Sequence, residues 1–338
     1  MNQQTLINHS AQATPAVGAA GAVIARKGVL AWEPIAAGAP GPGQILVRTI
    51  RSLVSPGTEL SFWCGTHAQL DDPTNRWAKY PFHPGYCAVG TVEAVGADIT
   101  GFIPGDIVAC DGRHAPLLLL DAAQNLIAKV PAGIDTACAP FAKFHSIVGG
   151  IRSTLPPLID GPVVVVGSGI IGILAAQWLR AAGIDVSVED VSTERLSQAA
   201  ACGLAVRSPT DPEQAPAAII DATGVASLVP QLLARVARNG TVVLLGSPRT
   251  PVEIDIYRHI HAKSVSLIGA HGGRFPHKGK VSQQSFFEEG LAMMADGRSD
   301  VRPLITQVIR PQILAEAYAA LAGRTPGWLG VELEWSHA

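Results

Sequence analysis

The sequence is poor in charged residues, and the two signs are evenly mixed. Asp, Glu, Lys and Arg make up 15% of the 338 residues, compared with roughly 25% in an average soluble domain. The 25 basic and 27 acidic residues are scattered along the chain and give a net charge of −2 at pH 7. A basic stripe of the kind that binds nucleic acid or anionic membranes is lacking, so we expect neither of these partners.

Cysteine is also scarce. The five cysteines form no CxxC pair, and the N-terminus lacks the basic-then-apolar pattern of a secretion signal. We therefore expect reduced thiols and a cytoplasmic protein. One uncharged stretch, residues 161–179, has 19 residues and is long enough to span a membrane. Its glycines fit a ligand-binding loop better than a membrane helix.

Glycine and proline, by contrast, are frequent, with 35 and 25 residues. They separate short β-type runs, for example at 44–50 and 90–95, in a pattern typical of an antiparallel barrel or sandwich. We assign this region to a first domain, residues 20–150. Residues 1–19 are polar and then rich in alanine and glycine, and we expect them to be a flexible end.

Strands alternate with helices beyond residue 160. Residues 163–166 are a β-branched run typical of a strand buried on both faces, and residues 170–182 predict the helix that follows. Further strands are predicted at 185–189, 218–221, 241–246 and 264–268, with helices at 193–202 and 228–237. This alternation predicts right-handed crossovers and a parallel sheet for residues 151–285. Residues 286–338 leave the alternation, and we expect them to rejoin the first domain.

A glycine-rich loop of the pattern GxGxxG joins the first strand and helix of this second region. Its residues are Gly167, Ser168, Gly169, Ile170, Ile171 and Gly172. The glycines permit a tight turn, a close approach of a pyrophosphate to the backbone, and close packing of helix on strand. The N-terminus of the helix also offers free N–H groups to the phosphates. The pattern predicts a dinucleotide-binding site.

The acidic residue that should follow is present. Asp190 lies 18 residues after Gly172, at the end of the next predicted strand. A carboxylate there accepts hydrogen bonds from ribose hydroxyls and repels a 2′-phosphate, which favours NAD over NADP. Arg195 is interpreted as an exposed helical residue. Three residues that follow later strands are further candidate cofactor contacts, although turn chemistry alone also explains them: Thr223, Gly224 and Ser247.

Several motifs resemble those of the medium-chain dehydrogenase/reductase superfamily, the alcohol dehydrogenase-like proteins. They are SPGTE at 55–59, PGYCAVGTV at 84–92, IPGDIV at 103–108, the glycine-rich loop, DATG at 221–224 and the end of the chain at 327–335. The resemblance covers nearly the whole chain from about residue 20. It implies an α/β protein with a GroES-like β-barrel catalytic domain and a Rossmann domain whose doubly wound parallel sheet binds NAD. It also implies an active site between the domains and a homodimer formed through the edge of the Rossmann sheet.

The zinc positions of the superfamily are replaced. Pro56 stands where zinc-dependent members have a cysteine, Tyr86 and Cys87 stand for their His-Glu pair, and Ala139 stands for a further Cys or Glu. A cluster of four closely spaced cysteines, the structural zinc site, is also missing. The comparison implies a member without either zinc ion. A zinc ion held by Cys64, Cys87 and a histidine is the alternative.

Without zinc, another group must stabilise the charge that develops on the substrate oxygen. The resemblance places Lys143, four residues after Ala139, on the cleft helix beside the nicotinamide, where burial would lower its pKa. Tyr86 would project into the same cleft, and Thr58 stands at the position of a proton-relay hydroxyl. The alternatives are a surface lysine, a tyrosine that fills the volume of the metal, and a threonine that serves the turn.

Four residues are candidate substrate contacts: Glu59, Trp63, His67 and His271. Glu59 stands where the family has an acid behind the metal, and Trp63 and His67 belong to an aromatic and basic loop, residues 62–83. His271 follows the last Rossmann strand. Such side chains would suit a sugar- or cyclitol-like substrate, although each one alone could serve only to close the entrance.

We therefore predict a zinc-independent, NAD(H)-dependent oxidoreductase that acts on a secondary alcohol or ketone of a small polar molecule. Two alternatives stay open. The first is a reductase of a conjugated C=C bond, because that reaction also needs a hydride donor and an electrophile on oxygen. The second is a dinucleotide-binding protein without catalytic activity.

Overall fold

Two large β-sheets organise the computed structural model of the chain. It describes residues 20–35, 38–208 and 215–335. The segment 1–19, for which a flexible end is predicted, lies outside the described residues, so that expectation stays a prediction.

The first sheet is mixed and combines strands from both ends of the chain. A two-stranded ribbon of β1 (Ala20–Arg26) and β2 (Val29–Pro34) precedes it. The strands of the mixed sheet are β3 (Gln44–Leu53), β4 (Ala88–Val95), β5 (Ile107–Cys110), β6 (Leu117–Asp121), β7 (Ile127–Lys129), and, from the C-terminal part, β14 (Ile305–Ile309) and β15 (Gly330–Glu334). β3 pairs antiparallel with β4, β6 and β15, and β14 runs parallel to β15. The C-terminal strands thus complete a sheet that the N-terminal part begins.

The second sheet is parallel throughout. Its strands are β8 (Val163–Val166), β9 (Val186–Glu189), β10 (Ala205–Arg207), β11 (Ala218–Asp221), β12 (Thr241–Leu244) and β13 (Ser266–Gly269). Their spatial order is β10-β9-β8-β11-β12-β13, so the chain moves outward from β8 and then crosses back to β11. This is the strand order of dinucleotide-binding folds, with its switch point between β8 and β11. The predicted α/β class with a Rossmann-type parallel sheet and a separate β-rich domain is confirmed.

Helices cover both faces of the parallel sheet and link it to the mixed one. They are α1 (Pro56–Trp63), α2 (Ala142–Val148), α3 (Ile170–Ala181), α4 (Thr193–Ala201), α5 (Val229–Arg235), α6 (Ile256–His259), α7 (Gln283–Ala295) and α8 (Leu314–Ala322). α2 packs against α3 and α7. Phe144 and Val148 on α2 belong to the same buried cluster as Val165 and Ile170, so one apolar core runs through both parts.

Some elements were not predicted from the sequence. α1 is the one that matters for function: it begins at Pro56, which suits the first helical position because that position needs no N–H. The short strands β2, β6, β7, β10 and β14 were also missed, since three to six residues carry too little periodicity. The uncharged stretch 161–179 forms β8 and most of α3, and in the described part of the chain no helix combines the length and apolarity that crossing a membrane requires.

Gly172 allows α3 to lie directly against the loop that precedes it. A Cβ at this position would lie 1.9 Å from the carbonyl oxygen of Gly167, an approach that real Cβ atoms do not make. Gly167 itself has φ +98°, a conformation that favours glycine. The two glycines therefore fix the turn geometrically.

We expect Gly172→Ala to lower the free energy of unfolding by roughly 1–3 kcal/mol, because the extra methyl group forces α3 away from the backbone. Urea denaturation measures the change. Gly57→Ala is the matched helical control, since its Cβ would meet nothing within 4 Å and alanine is the better helix former. Equal stability of the two variants would contradict this account of the loop.

Candidate active site

A cleft of about 590 Å³ lies between the carboxyl ends of the parallel strands and the mixed-sheet part. Ligands of open α/β sheets bind at this edge because the loops after the strands diverge there. One wall consists of the loops after β8, β11 and β12, and the other of the N-terminus of α1, Tyr86 and α2. Its main lining residues are Ser55, Pro56, Gly57, Thr58, Tyr86, Phe144, Ile147, Gly169, Ile170, Ile171, Arg195, Thr223, Gly224, Ser247 and Arg249.

The glycine-rich loop forms one end of the cleft. Gly169, Ile170 and Ile171 line it, while Gly167, Ser168 and Gly172 shape the turn behind. The Asp190 carboxylate accepts hydrogen bonds from the backbone N–H of Ser168 at 2.8 Å and from its hydroxyl at 3.1 Å. It also accepts one from the Ser192 N–H at 2.9 Å. Asp190 therefore holds the loop to the end of β9, the position expected of a ribose-binding acid.

The loops after β11 and β12 continue this wall. Thr223, Gly224 and Ser247 all line the cleft, as expected. Thr223 donates from its N–H and its hydroxyl to the buried Asp221, at 2.9 and 2.6 Å. Burial raises the pKa of Asp221, whereas these hydrogen bonds act in the opposite direction. Gly224 has φ +67° and lies against the backbone of Ser247, so the two loops touch.

Three hydroxyl groups meet on the opposite wall. The Tyr86 O–H is hydrogen-bonded to Ser55 Oγ, and it donates to Thr58 Oγ1 at 3.2 Å. Burial raises the pKa of Tyr86 well above its ordinary value, and the two hydrogen bonds offset this only in part. The phenol is therefore protonated at neutral pH and can donate a hydrogen bond or a proton to a ligand in the cleft.

Lys143 lies next to this group. Its Nζ is 5.9 Å from the centroid of the Tyr86 ring and 3.8 Å from the Asp111 carboxylate, and its side chain is only 14% exposed. Lys143, Tyr86 and Thr58 are thus brought together. Tyr86 and Thr58 line the cleft, whereas Lys143 is not among the lining residues found in the described ranges and lies beside the Tyr86 ring.

Glu59 does not face the cleft. Its side chain is fully buried, and its oxygens accept hydrogen bonds from the Ser55 N–H (2.8 Å), from His114 Nε2 (3.0 Å) and from the Tyr318 hydroxyl (2.6 Å). His114 Nδ1 in turn contacts Ser52 Oγ at 2.8 Å. The role of Glu59 in this structure is to hold the start of α1, and through it Ser55, against the rest of the core.

The remaining substrate candidates lie away from the reacting groups. The Trp63 ring packs 5.4 Å from the Tyr318 ring, and His67 stacks on Phe62 at 4.7 Å. Burial, and then the charge of Arg249, lower the pKa of His67. His271 is exposed, accepts a hydrogen bond from the Gly273 N–H at 3.1 Å, and lines a separate small hollow.

The donor set for a zinc ion is not assembled at this site. Among the described residues there is no group of three or more His, Cys, Asp and Glu side chains that could hold a metal. Cys87 is fully buried, and burial raises the pKa of its thiol well above the ordinary value. Pro56 and Ala139 offer no side-chain ligand, so these positions do not fit a catalytic zinc ion. The glycine-rich loop and Asp190, in contrast, fit a dinucleotide.

The cleft also contains residues that were not among the predicted site residues, and three of them are polar or charged groups with contacts there. Ser55 contacts Tyr86, Arg195 is half-buried with its guanidinium near Gly169, and Arg249 stands on the loop after β12. Arg195 is therefore not the exposed helical residue that the sequence suggested. Arg249 could have been found, since it follows a predicted strand at the edge where ligands bind.

Comparisons with known proteins find dehydrogenases among the similar sequences. Residues 171–289 match the family model described as zinc-binding dehydrogenase. A 2-desacetyl-2-hydroxyethyl bacteriochlorophyllide A dehydrogenase from Rhodobacter capsulatus is 29% identical over 309 residues, 88% of this chain and 92% of that protein. An L-threonine 3-dehydrogenase from Streptomyces avermitilis is 25% identical over 344 residues, 88% of this chain and 93% of that protein.

A solved structure shares the whole architecture. It is described as a short chain alcohol dehydrogenase from Escherichia coli complexed with the cofactor NADH. The TM-score is 0.76 at 18% identity, and the match covers 93% of this chain and 98% of that one. At this identity the likeness concerns the fold.

We expect Tyr318→Phe to lower the free energy of unfolding by roughly 1–3 kcal/mol, because the buried Glu59 carboxylate loses one of its donors. Chemical denaturation measures the loss. Tyr257→Phe is the matched control, since that side chain is 69% exposed and its hydroxyl should contribute less than about 0.5 kcal/mol. If Tyr318→Phe were as stable as the control, Glu59 would not depend on this hydrogen bond.

Proposed function

We propose that this chain, which is similar to oxidoreductases of the alcohol dehydrogenase-like medium-chain dehydrogenase/reductase superfamily, is a zinc-independent, NAD(H)-dependent enzyme that interconverts a secondary alcohol and a ketone. The observation that carries the proposal is the position of Tyr86. Its hydroxyl lies in the cleft, opposite the glycine-rich loop, where zinc-dependent members have a metal ligand.

The cofactor side of the cleft would hold NAD. Gly169 and Ile170 open the N-terminus of α3 to the pyrophosphate, and Asp190 is available to the adenosine ribose. When bound, the nicotinamide supplies or accepts the hydride. The loops at Thr223 and Ser247 would place its ring end toward Tyr86, because they line the wall between the glycine-rich loop and the hydroxyl cluster.

Tyr86 is the proposed acid. In ketone reduction its O–H donates to the substrate oxygen and transfers the proton as negative charge develops there, and the phenolate then regains a proton from solvent; alcohol oxidation runs the same steps in reverse, with the phenol first releasing its proton to solvent. Ser55 and Thr58 orient the phenol. Lys143, 5.9 Å from the ring, favours the phenolate electrostatically and so eases proton release. Lys143 acts through Tyr86 and is a positioning residue.

Metal independence is part of the same proposal. It is supported by the substituted ligand positions at Pro56, Tyr86 and Ala139 and by the hydrogen bonds that already engage Tyr86. A proton donor of this kind supplies what a Lewis acid supplies elsewhere, namely stabilisation of an alkoxide.

The proposed substrate is a small polar molecule of the sugar or cyclitol type. The names of the relatives support a secondary alcohol, since L-threonine is oxidised at its C3 hydroxyl and the bacteriochlorophyllide enzyme acts on a hydroxyethyl group. We also propose a homodimer joined at β13, an edge strand that pairs only with β12 in the part of the chain that the structure describes.

We expect Asp190→Asn to weaken NADH binding by roughly 1.5–3 kcal/mol, because the charged acceptor for the ribose hydroxyls is lost. NADPH binding should be unchanged or improved, since repulsion of its 2′-phosphate is removed. Fluorescence titration of both reduced cofactors measures this. Asp185→Asn removes the same charge at the opposite end of β9, where Asp185 is exposed, and should change neither affinity. Tighter binding of NADPH than NADH by the unaltered protein would contradict the assignment.

We expect Tyr86→Phe to lower turnover by about 10²–10⁴-fold while NADH affinity changes little, because only the proton donor is removed. The assay follows the absorbance of reduced nicotinamide with polyols, cyclitols, ketones and enones. Lys143→Met should shift the pH profile of turnover, and Tyr257→Phe should leave it unaltered. Prolonged chelation should not reduce activity.

Three outcomes would count against the proposal. Loss of activity on chelation, restored by zinc, would overturn the metal-free assignment. Full activity of Tyr86→Phe would remove Tyr86 from the mechanism. Turnover of enones with no turnover of alcohols or ketones would replace the reaction by reduction of a C=C bond.

A further inference from the structure

Arg249 places a half-buried positive charge in the cleft. It stands on the loop after β12, and its Nη2 donates a hydrogen bond to the carbonyl oxygen of Gly57 at 2.8 Å. This contact joins the wall formed by the loops after β8, β11 and β12 to the N-terminus of α1. A guanidinium has five N–H donors in a planar fork, and within the described ranges the Gly57 carbonyl is the acceptor that Arg249 uses. Most of its donors thus remain available.

Within the described part of the chain, Arg249 forms no ion pair with a carboxylate. Glu59 is sealed behind the wall by three donors, and Asp111 faces Lys143. Among the described residues that line the cleft, the charged ones are Arg195 and Arg249, and neither Asp nor Glu is present. Asp190 lies behind the glycine-rich loop at the cofactor end, so the end of the cleft at Arg249 is cationic and a ligand there can supply the balancing charge.

The two arginines occupy different ends of the cleft. Arg195 has its guanidinium beside Gly169, where the phosphates of a dinucleotide are expected. Arg249 contacts Gly57, next to Thr58, and Tyr86 lies close enough to influence its pKa. His67 does not line the cleft, and burial and then the charge of Arg249 lower its pKa. Arg249 is thus the positively charged residue at the end of the cleft where Tyr86 lies.

Burial makes the unpaired charge costly. It lowers the pKa of Arg249 from its ordinary value. A half-desolvated guanidinium is stabilised most by a carboxylate or phosphate, because the fork forms two parallel charge-assisted hydrogen bonds with either group.

We propose that Arg249 binds a carboxylate or phosphate group of the substrate, so that the preferred substrates are anionic secondary alcohols and ketones. The anionic group sits at Arg249 while the reacting oxygen faces Tyr86. This inference rests on the proposed function, because it takes the Tyr86 end of the cleft as the place of reaction. It restricts the proposed class of small polar substrates to those that carry a negative charge.

The test uses pairs of compounds that differ in one anionic group. Gluconate is compared with glucitol, and galactitol 1-phosphate with galactitol, so the two pairs separate carboxylate from phosphate recognition. Binding is measured by calorimetry on protein saturated with NADH, in which an alcohol cannot react. The titration is repeated without NADH, so that the preference is measured even if nicotinamide does not bind.

At least one anion should bind about 10- to 100-fold more tightly than its neutral partner, the scale of a hydrogen bond to a charged group. Arg249→Gln should abolish that preference and leave the affinities for NADH and for the neutral compounds within about threefold. Arg249→Lys should restore part of the preference for the anion, since lysine keeps the positive charge but lacks the planar fork of N–H donors. Arg258→Gln is the matched control, because Arg258 is 82% exposed, pairs with Asp255 and lies near Arg249 in sequence.

Three results would overturn the inference: no anion preference in either pair, a preference that survives Arg249→Gln, or an equal loss for neutral and anionic compounds. The last would make Arg249 a residue that only holds the two walls together. Turnover of neutral alcohols without an anion preference would leave the proposed function standing and remove this inference alone. Failure to bind NADH would instead remove the proposed function.

Discussion

The buried carboxylate of Glu59 is the constraint on which one wall of the cleft depends, the wall formed by the N-terminus of α1, Tyr86 and α2. A fully buried charge must be satisfied by hydrogen bonds, and Glu59 obtains them from α1, from the segment of His114 and from Tyr318 on α8. His114 extends the network to Ser52, which also accepts from Trp335 near the end of the described chain. Segments separated by more than 250 residues thus meet at one carboxylate, which fixes where Ser55 can hold Tyr86.

The other wall, formed by the loops after β8, β11 and β12, depends on backbone geometry and on the alternating direction of side chains along a strand. Glu189 and Asp190 are adjacent in sequence, but their side chains do different work, because successive side chains of a strand point to opposite sides. Asp190 holds the glycine-rich loop, whereas the buried Glu189 forms ion pairs with Arg207 at 2.8 Å and Arg235 at 2.7 Å. Because the buried Glu189 carboxylate depends on these two partners, the arginines support β9 and the position of Asp190.

The two walls are linked at few points that matter for chemistry. Helix α2 links the two walls. Phe144 lines the cleft and belongs to the core shared with β8, while Lys143 reaches toward Tyr86. Arg249 makes the polar link, from the loop after β12 to Gly57. The proposed reaction joins a cofactor held by one wall to a proton donor held by the other, so these links set the distance over which it can occur.

The sequence alone determined the parallel sheet, the dinucleotide loop and Asp190, because these depend on local patterns: a buried β-branched run, glycines at fixed spacing and an acid at a strand end. It also identified Tyr86, Lys143 and Thr58 through replaced positions of a known family. Only the tertiary structure decided that Glu59 is sealed in the core, that Lys143 lies beside the Tyr86 ring and does not line the cleft, and that Arg195 and Arg249 face the cleft. Burial and pairing of a charged side chain depend on residues distant in sequence, and local spacing carries no information about them.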